Sequence, residues 1–146
     1  MNRLLIFGLG YTANRIADAL RAAGWRIDAT GSAGNLSFDD DAAVAKAAQA
    51  ATHVLSSVPP ADDSDPVLDR FGAILQDKWL GYLSSTGVYG DTQGEWVDES
   101  SPLQPATELN VRRVESESAW LKMSRQNGCS VMVFRCVGIY GPGRNL

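Results

Sequence analysis

Residues 4–24 read LLIFGLGYTANRIADALRAAG, and this stretch decides the fold. Its first part, Leu4 to Phe7, is a short apolar run with the length and character of a buried parallel strand. A glycine turn follows, and after it apolar residues recur at helical spacing, at Ala13, Ile16, Ala17 and Leu20. Gly24 stands where a glycine commonly ends a helix. The stretch therefore predicts a strand, a glycine turn and a helix in succession.

The turn matches the GxGxxA pattern, which binds the pyrophosphate of a dinucleotide when it lies between a strand and a helix. Gly8 permits the tight turn, Gly10 places no Cβ between backbone and pyrophosphate, and Ala13 lets the helix pack closely on the strand. The helix N-terminus then offers unpaired N–H groups and a partial positive charge to the phosphates. A tight turn without a ligand is the alternative, which the flanking strand and helix disfavour. We expect the cofactor to contact Gly8, Gly10, Tyr11, Thr12 and Ala13.

Composition narrows the class of protein. The chain has 146 residues, 45% of them apolar, which favours one globular domain over residues 1–146. A net charge of −4 without any basic cluster argues against a nucleic-acid partner. The longest apolar run is far shorter than the ~18 residues of a membrane span, so we expect no membrane partner. The sequence also has no cysteine and histidine cluster that would predict a metal site.

The two cysteines indicate the compartment. Cys129 and Cys136 flank one predicted strand, whose extended length exceeds the Cα separation that a disulfide allows. Two free thiols and no export signal are typical of a cytoplasmic protein, which is our expectation.

The remaining elements alternate along the chain. Strands are predicted at 25–30, 35–38, 52–58, 78–84 and 130–137, and helices at 41–51, 67–76 and 108–126. This alternation is typical of an α/β Rossmann-type doubly wound parallel sheet in three αβα layers. Only residues 31–34 separate the second and third strands, which is too short for a parallel crossover. We therefore expect strand order 3-2-1-4-5-6, with strand 3 weak or missing.

Ligands of such sheets bind at the C-terminal ends of the strands. Ser56 and Ser57 end the fourth predicted strand and are candidate cofactor contacts. Thr30 and Ser32 end the second, and small hydroxyl residues there can hydrogen-bond a 2′-phosphate. Asp28 has the spacing of an acid that holds an unphosphorylated ribose, but it lies within the strand. The choice between NAD and NADP stays open, and the sequence slightly favours NADP.

Three acids follow the third predicted strand. Asp39 is a candidate contact for the amino group of an adenine. The alternative is that the acids cap the next helix and fill its first turn, which fits Asp40 and Asp41 better. The single histidine, His53, lies at the N-terminal end of its strand, away from the expected ligand, and is interpreted as structural.

Four segments resemble the extended short-chain dehydrogenase/reductase superfamily, and in particular its NAD-dependent epimerase/dehydratase proteins. They are the glycine turn, LSSTGVYGD at 83–91, DESSPLQP at 98–105 and FRCVGIYGPGR at 134–144. The resemblance implies an NAD(P)-dependent oxidoreductase that acts on a nucleotide sugar or a similar alcohol or ketone. It implies that Ser85 is a catalytic hydroxyl with Thr86 as its helper. The alternative is that these residues satisfy their own backbone at a strand end.

The sequence departs from the family at the usual base, a tyrosine with a lysine four residues later. Counting along the long helix places that pair on Thr107 and Val111, which cannot act as a phenolate beside a cation. Arg112 and Arg113 could supply positive charge, but an arginine does not exchange protons near neutral pH. The alternative function is therefore a non-catalytic NAD(P)-binding or regulatory module of the atypical type.

A second departure concerns the substrate lobe. In the family the IYGPG segment leads into a smaller C-terminal lobe, whereas this chain ends at Leu146. We expect either a fragment or a protein that lacks the lobe. By resemblance, the long helix would pair with its copy in a homodimer, whereas the polar character of residues 108–118 argues against a large apolar interface there, so the oligomeric state stays open.

Overall fold

The computed structural model describes residues 1–61 and 64–145. The strands are β1 (Arg3–Phe7), β2 (Arg26–Ala29), β3 (His53–Ser56), β4 (Trp79–Ser85) and β5 (Ser130–Cys136). The helices are α1 (Tyr11–Ala22), α2 (Asp41–Ala50), α3 (Pro66–Phe71) and α4 (Glu108–Gln126). Short 3₁₀ turns follow α3 at Gly72–Ile74 and β4 at Thr86–Tyr89. None of the helices in these ranges is long and apolar enough to cross a membrane.

The five strands form one parallel sheet in the order β2-β1-β3-β4-β5. This is the predicted order with its third strand missing, so the predicted fold class is confirmed. Residues 35–38 form a loop whose single ladder contact is a parallel bridge between Thr30 and Leu36. The Asn35 side chain takes the place of a strand neighbour at Ala29, because its Oδ1 accepts a hydrogen bond from the Ala29 N–H at 2.8 Å.

The alternation of side chains along β1 builds two hydrophobic cores. Leu5 and Phe7 face a core that α2, α3 and α4 cover, whereas Leu4 and Ile6 face α1. The α1 layer is anchored at its end by Gly24, where φ is +82° and the N–H groups of Gly24 and Trp25 bond back to the last helical turn. The helices leave the C-terminal ends of the strands uncovered next to the N-terminus of α1.

The buried face of α4 is not made of its apolar side chains alone. Val111 is 41% exposed and Leu121 is 47% exposed. The buried side chains of α4 are instead Ser116, Glu117, Trp120 and Met123. A glutamate can lie on this face because Arg135 of β5 neutralises it. Helix α3 is also shorter than predicted, since it ends at Phe71.

Candidate functional site

The glycine turn after β1 is fixed by the ends of the neighbouring strands. Gly8 has φ of +85°, and a Cβ on it would lie 2.9 Å from the Ser57 Oγ. The Gly8 N–H donates to the Thr30 Oγ1 at 3.2 Å. Gly31 packs against the same turn, since a Cβ there would lie 3.0 Å from the backbone nitrogen of Leu9. The chain itself therefore requires glycine at position 8.

Gly10 differs from Gly8 in both conformation and surroundings. Its φ is −84°, which any residue adopts, and it caps the N-terminus of α1. A Cβ on Gly10 would meet no atom within 4 Å. No described side chain caps α1, and its first turn carries no acid. The N–H groups at this helix end therefore face open space with their positive end unopposed.

A cleft of about 500 Å³ opens beside this turn and reaches the ends of β4 and β5. Six of the residues that the sequence predicted line it, namely Gly10, Tyr11, Thr12, Ala13, Ser57 and Ser85. Ser85 pairs with Cys136 across the sheet, and its Oγ accepts a hydrogen bond from the Gly87 N–H at 3.1 Å. The cleft thus joins the glycine turn to the predicted catalytic hydroxyl.

The other predicted residues lie outside this lining. Gly8 and Thr30 hold the turn from below, and Ser56 is fully buried at the end of β3. Ser32 is exposed after β2, and Thr86 lines a separate groove beside Trp96. Asp39 accepts a hydrogen bond from the Arg70 guanidinium at 2.8 Å. Contact between these residues and a cofactor stays a prediction.

The segment after β5 closes one side of the cleft. The Tyr11 hydroxyl donates to the Pro142 carbonyl at 3.0 Å. Arg144 lies over the Tyr11 ring at 5.7 Å and also lines the cleft. Residues 138–145 therefore lie against the first turn of α1, and they bring a positive charge to the glycine turn.

A buried polar network lies behind the opposite side, where its member Ser84 lines the cleft, and sequence reasoning missed this network. Glu117 is 2% exposed and accepts hydrogen bonds from the Ser84 hydroxyl at 2.5 Å and from Arg135 at 2.8 Å. Arg135 also donates to the Tyr89 hydroxyl at 3.0 Å, and that hydroxyl donates to the Asp98 carbonyl at 2.9 Å. The network ties α4, β4, β5 and the loop after Thr86–Tyr89 together. Its only signal in the sequence is an arginine inside a strand pattern.

Arg113 of α4 reaches into the cleft, where its Nη1 donates to the Leu83 carbonyl at 3.3 Å. The two positions to which the family pattern assigns the usual base, Thr107 and Val111, do not lie in the cleft. Thr107 caps α4 by accepting a hydrogen bond from the Asn110 N–H at 3.2 Å, and neither Thr107 nor Val111 is among the described residues that line the cleft. The residue four before Arg113 is Leu109, which is 51% exposed. The α4 side of the cleft thus carries a cation and no tyrosine.

The two cysteines have different surroundings, and both are free thiols, as predicted. Cys129 is buried and donates to the Leu75 carbonyl at 3.0 Å. Cys136 is half-buried in the cleft lining. Burial raises the pKa of the Cys136 thiol, and the positive charge of Arg113 opposes that rise.

An apolar groove of about 460 Å³ runs along the α1 face of the sheet. His53 lies in it between two tryptophans, with ring centroids 4.7 Å from Trp25 and 5.6 Å from Trp79. Its Nδ1 is 2.8 Å from the Thr52 hydroxyl. These contacts agree with the structural interpretation of His53. Among residues 1–61 and 64–145, no cluster of three or more histidine, cysteine or acidic side chains could hold a metal.

Comparison with known proteins identifies related chains. The NAD dependent epimerase/dehydratase family matches residues 72–146. Protein YeeZ of Escherichia coli K12 is 28% identical over 177 residues, covering 99% of this chain and 61% of YeeZ. A solved protein of unknown function from Silicibacter pomeroyi is 36% identical with a TM-score of 0.82, covering 99% of this chain and 55% of that one.

Another solved structure shares the fold at lower identity. Thermus thermophilus UDP-glucose 4-epimerase, solved with NAD, has a TM-score of 0.72 at 23% identity, covering 98% of this chain and 57% of the epimerase. The chain therefore spans about three fifths of its curated relative and little more than half of the solved ones.

Proposed function

This chain belongs to the NAD dependent epimerase/dehydratase family, and on that premise we propose that it binds a nicotinamide dinucleotide in the cleft above α1. The cofactor pyrophosphate would lie on the turn from Gly8 to Ala13, against the open N-terminus of α1. The NAD bound by the Thermus thermophilus epimerase supports this choice of cofactor.

One observation carries the proposal. Gly10 has an ordinary φ and an empty space where its side chain would be, so nothing in the described chain requires glycine there. A ligand that approaches the backbone closely does require it. Gly8 in the same turn provides the contrast, because its own conformation and Ser57 already exclude a side chain.

We propose that the adenosine half lies over the end of β2, near Thr30, Ser32 and Asp39, and that the protein prefers NADP. Asp28 is the acid with the spacing to hold a ribose, but its carboxylate is paired with Arg3 at 3.4 Å and accepts from Asn35 at 3.0 Å. With Asp28 engaged, no acid at the end of β2 would repel a 2′-phosphate.

At the other end of the cleft, Ser85 would hydrogen-bond the reacting oxygen of a nucleotide sugar or a similar alcohol or ketone, with Thr86 as its neighbour. The bound cofactor would supply hydride-transfer chemistry to that oxygen-bearing carbon. A second candidate function is favoured by the α4 side of the cleft. That side carries the cation Arg113 but no tyrosine phenol that could take up or release the proton of the reacting hydroxyl. That candidate is a non-catalytic NAD(P)-binding or regulatory module.

Residues 1–146 would form the cofactor-binding domain in either case. In a longer protein of the length of its relatives, the substrate would be held between this domain and the rest of the chain. A homodimer through α4 stays a prediction.

The test is a titration of the chain with NADPH and with NADH, followed by nicotinamide fluorescence. We expect saturable binding that is stronger for NADPH and at least tenfold weaker in Gly10→Ala. Gly72→Ala is the matched control, since Gly72 has φ of −53°, only ordinary contacts and a position outside the cleft lining. Binding of neither nucleotide, or equal binding by Gly10→Ala, would contradict the proposal.

Turnover separates the two candidates. The longest natural form of the protein is assayed with NADPH and a panel of ketones and nucleotide sugars. Catalysis that disappears in Ser85→Ala would exclude the non-catalytic module, whereas cofactor binding without turnover of any substrate favours it.

A further inference from the structure

Arg113 has a hydrogen-bonding donor that the chain leaves unused. Its Nη1 bonds the Leu83 carbonyl, but its Nε is buried and has no partner among the described residues. A buried donor without a partner costs free energy, and in native proteins such groups are few. Among the described residues, the Leu83 carbonyl is thus the recorded hydrogen-bond partner of the Arg113 guanidinium.

The charge of Arg113 is uncompensated as well. Glu117, the buried carboxylate one turn along α4, is already bound by Arg135 and Ser84. Among the described residues no carboxylate lies within ion-pair distance of Arg113. The charged side chains that line the cleft are Arg113 and Arg144, and its described lining contains no acid.

The two arginines serve different sides of the cleft. Arg144 lies over Tyr11 at the glycine turn, where the pyrophosphate is proposed to bind. Arg113 projects from α4 beside the ends of β4 and β5, close enough to Cys136 for its charge to act on that thiol. An anion that satisfies Arg113 would therefore be a second group, next to Ser85 rather than next to Gly10.

We propose that Arg113 binds the carboxylate of a small organic acid, which makes the second ligand of this cleft a carboxylic acid. A planar guanidinium matches a carboxylate through two parallel N–H donors, and Arg113 presents its guanidinium side chain in the lining of the cleft. Ser85 lines the same cleft and could hydrogen-bond another oxygen of that acid. The placement of this carboxylic acid beside the nicotinamide rests on the proposed function.

The experiment measures malonate binding by calorimetry to the intact chain saturated with NADPH, with neutral malonamide as the matched ligand. Arg113→Gln removes the proposed contact. Arg112→Gln is the control, because it removes the same charge from the next position of α4, whose side chain pairs with Glu108 outside the cleft. We expect malonate to bind wild type and Arg112→Gln alike, Arg113→Gln at least tenfold more weakly, and malonamide not to bind.

Equal malonate binding by Arg113→Gln, or no saturable binding by wild type, would overturn the proposal. So would a loss of NADPH affinity without a change in malonate affinity, since Arg113 would then serve the cofactor. If Arg113→Gln does not fold, Arg113→Lys is the test variant. It keeps the positive charge but loses the paired N–H donors of the guanidinium, and we expect it to bind malonate at least threefold more weakly than wild type. Arg113-dependent malonate binding in a chain that does not bind NADPH would refute the proposed function and leave the acid site standing.

Discussion

The two ends of the cleft are built in different ways. At the glycine-turn end, backbone groups and small residues from three consecutive strand ends lie within van der Waals contact, and the ligand space is made by an absent side chain at Gly10. At the α4 end, the site is made by long charged side chains. Arg113 of α4 reaches the Leu83 carbonyl in the cleft, and behind it Glu117 of α4 pairs with Arg135 of β5 and accepts from Ser84.

This difference shows what holds each end in place. Backbone conformation fixes the turn, so its geometry depends on a few φ angles and close contacts. Electrostatic compensation holds the network behind the α4 end, so the geometry of that network depends on keeping Glu117 and Arg135 paired. Substitutions should therefore act through strain at one end and through unpaired charge at the other.

The largest effect is expected at the α4 end. Glu117→Gln keeps the shape of the side chain but leaves Arg135 without its counter-charge in a largely buried position. Breaking such a pair should lower the free energy of unfolding by about 3 kcal/mol. Urea denaturation followed by circular dichroism measures this change.

A second pair on the same helix provides the control. Glu108 is bonded to Arg112 at 2.5 Å, but its side chain is 82% exposed. Glu108→Gln should change the free energy of unfolding by less than about 0.5 kcal/mol, because exposed pairs contribute little. Equal losses in the two variants would mean that charge compensation does not hold the α4 end.

A smaller effect is expected at the glycine turn. Gly8→Ala places a Cβ on a residue with φ of +85° and 2.9 Å from the Ser57 Oγ, so it should destabilise the protein by about 2 kcal/mol. Gly10→Ala should cost less than about 1 kcal/mol, which is the loss of a glycine cap. Thermal unfolding of both variants measures the contrast, and a more severe loss in Gly10→Ala would show that the space beside Gly10 is needed for folding.

The same division explains what the sequence could predict. The strand order, the missing third strand and the glycine turn follow from local patterns, such as the short stretch 31–34 and the spacing of Gly8, Gly10 and Ala13. The N-terminal cap of α2 was also predictable, because the Asp40 carboxylate precedes a helical run and accepts from the Ala43 N–H. Local chemistry decides all of these features.

The α4 end could not be predicted in the same way. A hydrophobic pattern would bury the apolar Val111 and Leu121 and treat Glu117 as a surface residue, whereas in the structure Glu117 is buried and the other two are exposed. Only the sheet register, which pairs Ser84 with Arg135, brings the compensating charge to it. Counting from the family pattern also missed that Arg113, and not residue 111, faces the cleft.

The smallest effect is expected on the rate of alkylation of the Cys136 thiol. This rate reports the charge of Arg113 independently of protein stability. Burial raises the pKa of Cys136 and Arg113 opposes this, so Arg113→Gln should raise that pKa further. Because the thiolate is the nucleophile, alkylation by iodoacetamide at pH 8 should slow and its pH profile should move to higher pH. Arg112→Gln should leave the profile unchanged, and Cys129 should not react in the folded chain because it is buried. An unchanged profile in Arg113→Gln would mean that the guanidinium charge does not act on Cys136, and a charge on α4 would then not distinguish this end of the cleft from the backbone-built turn opposite it.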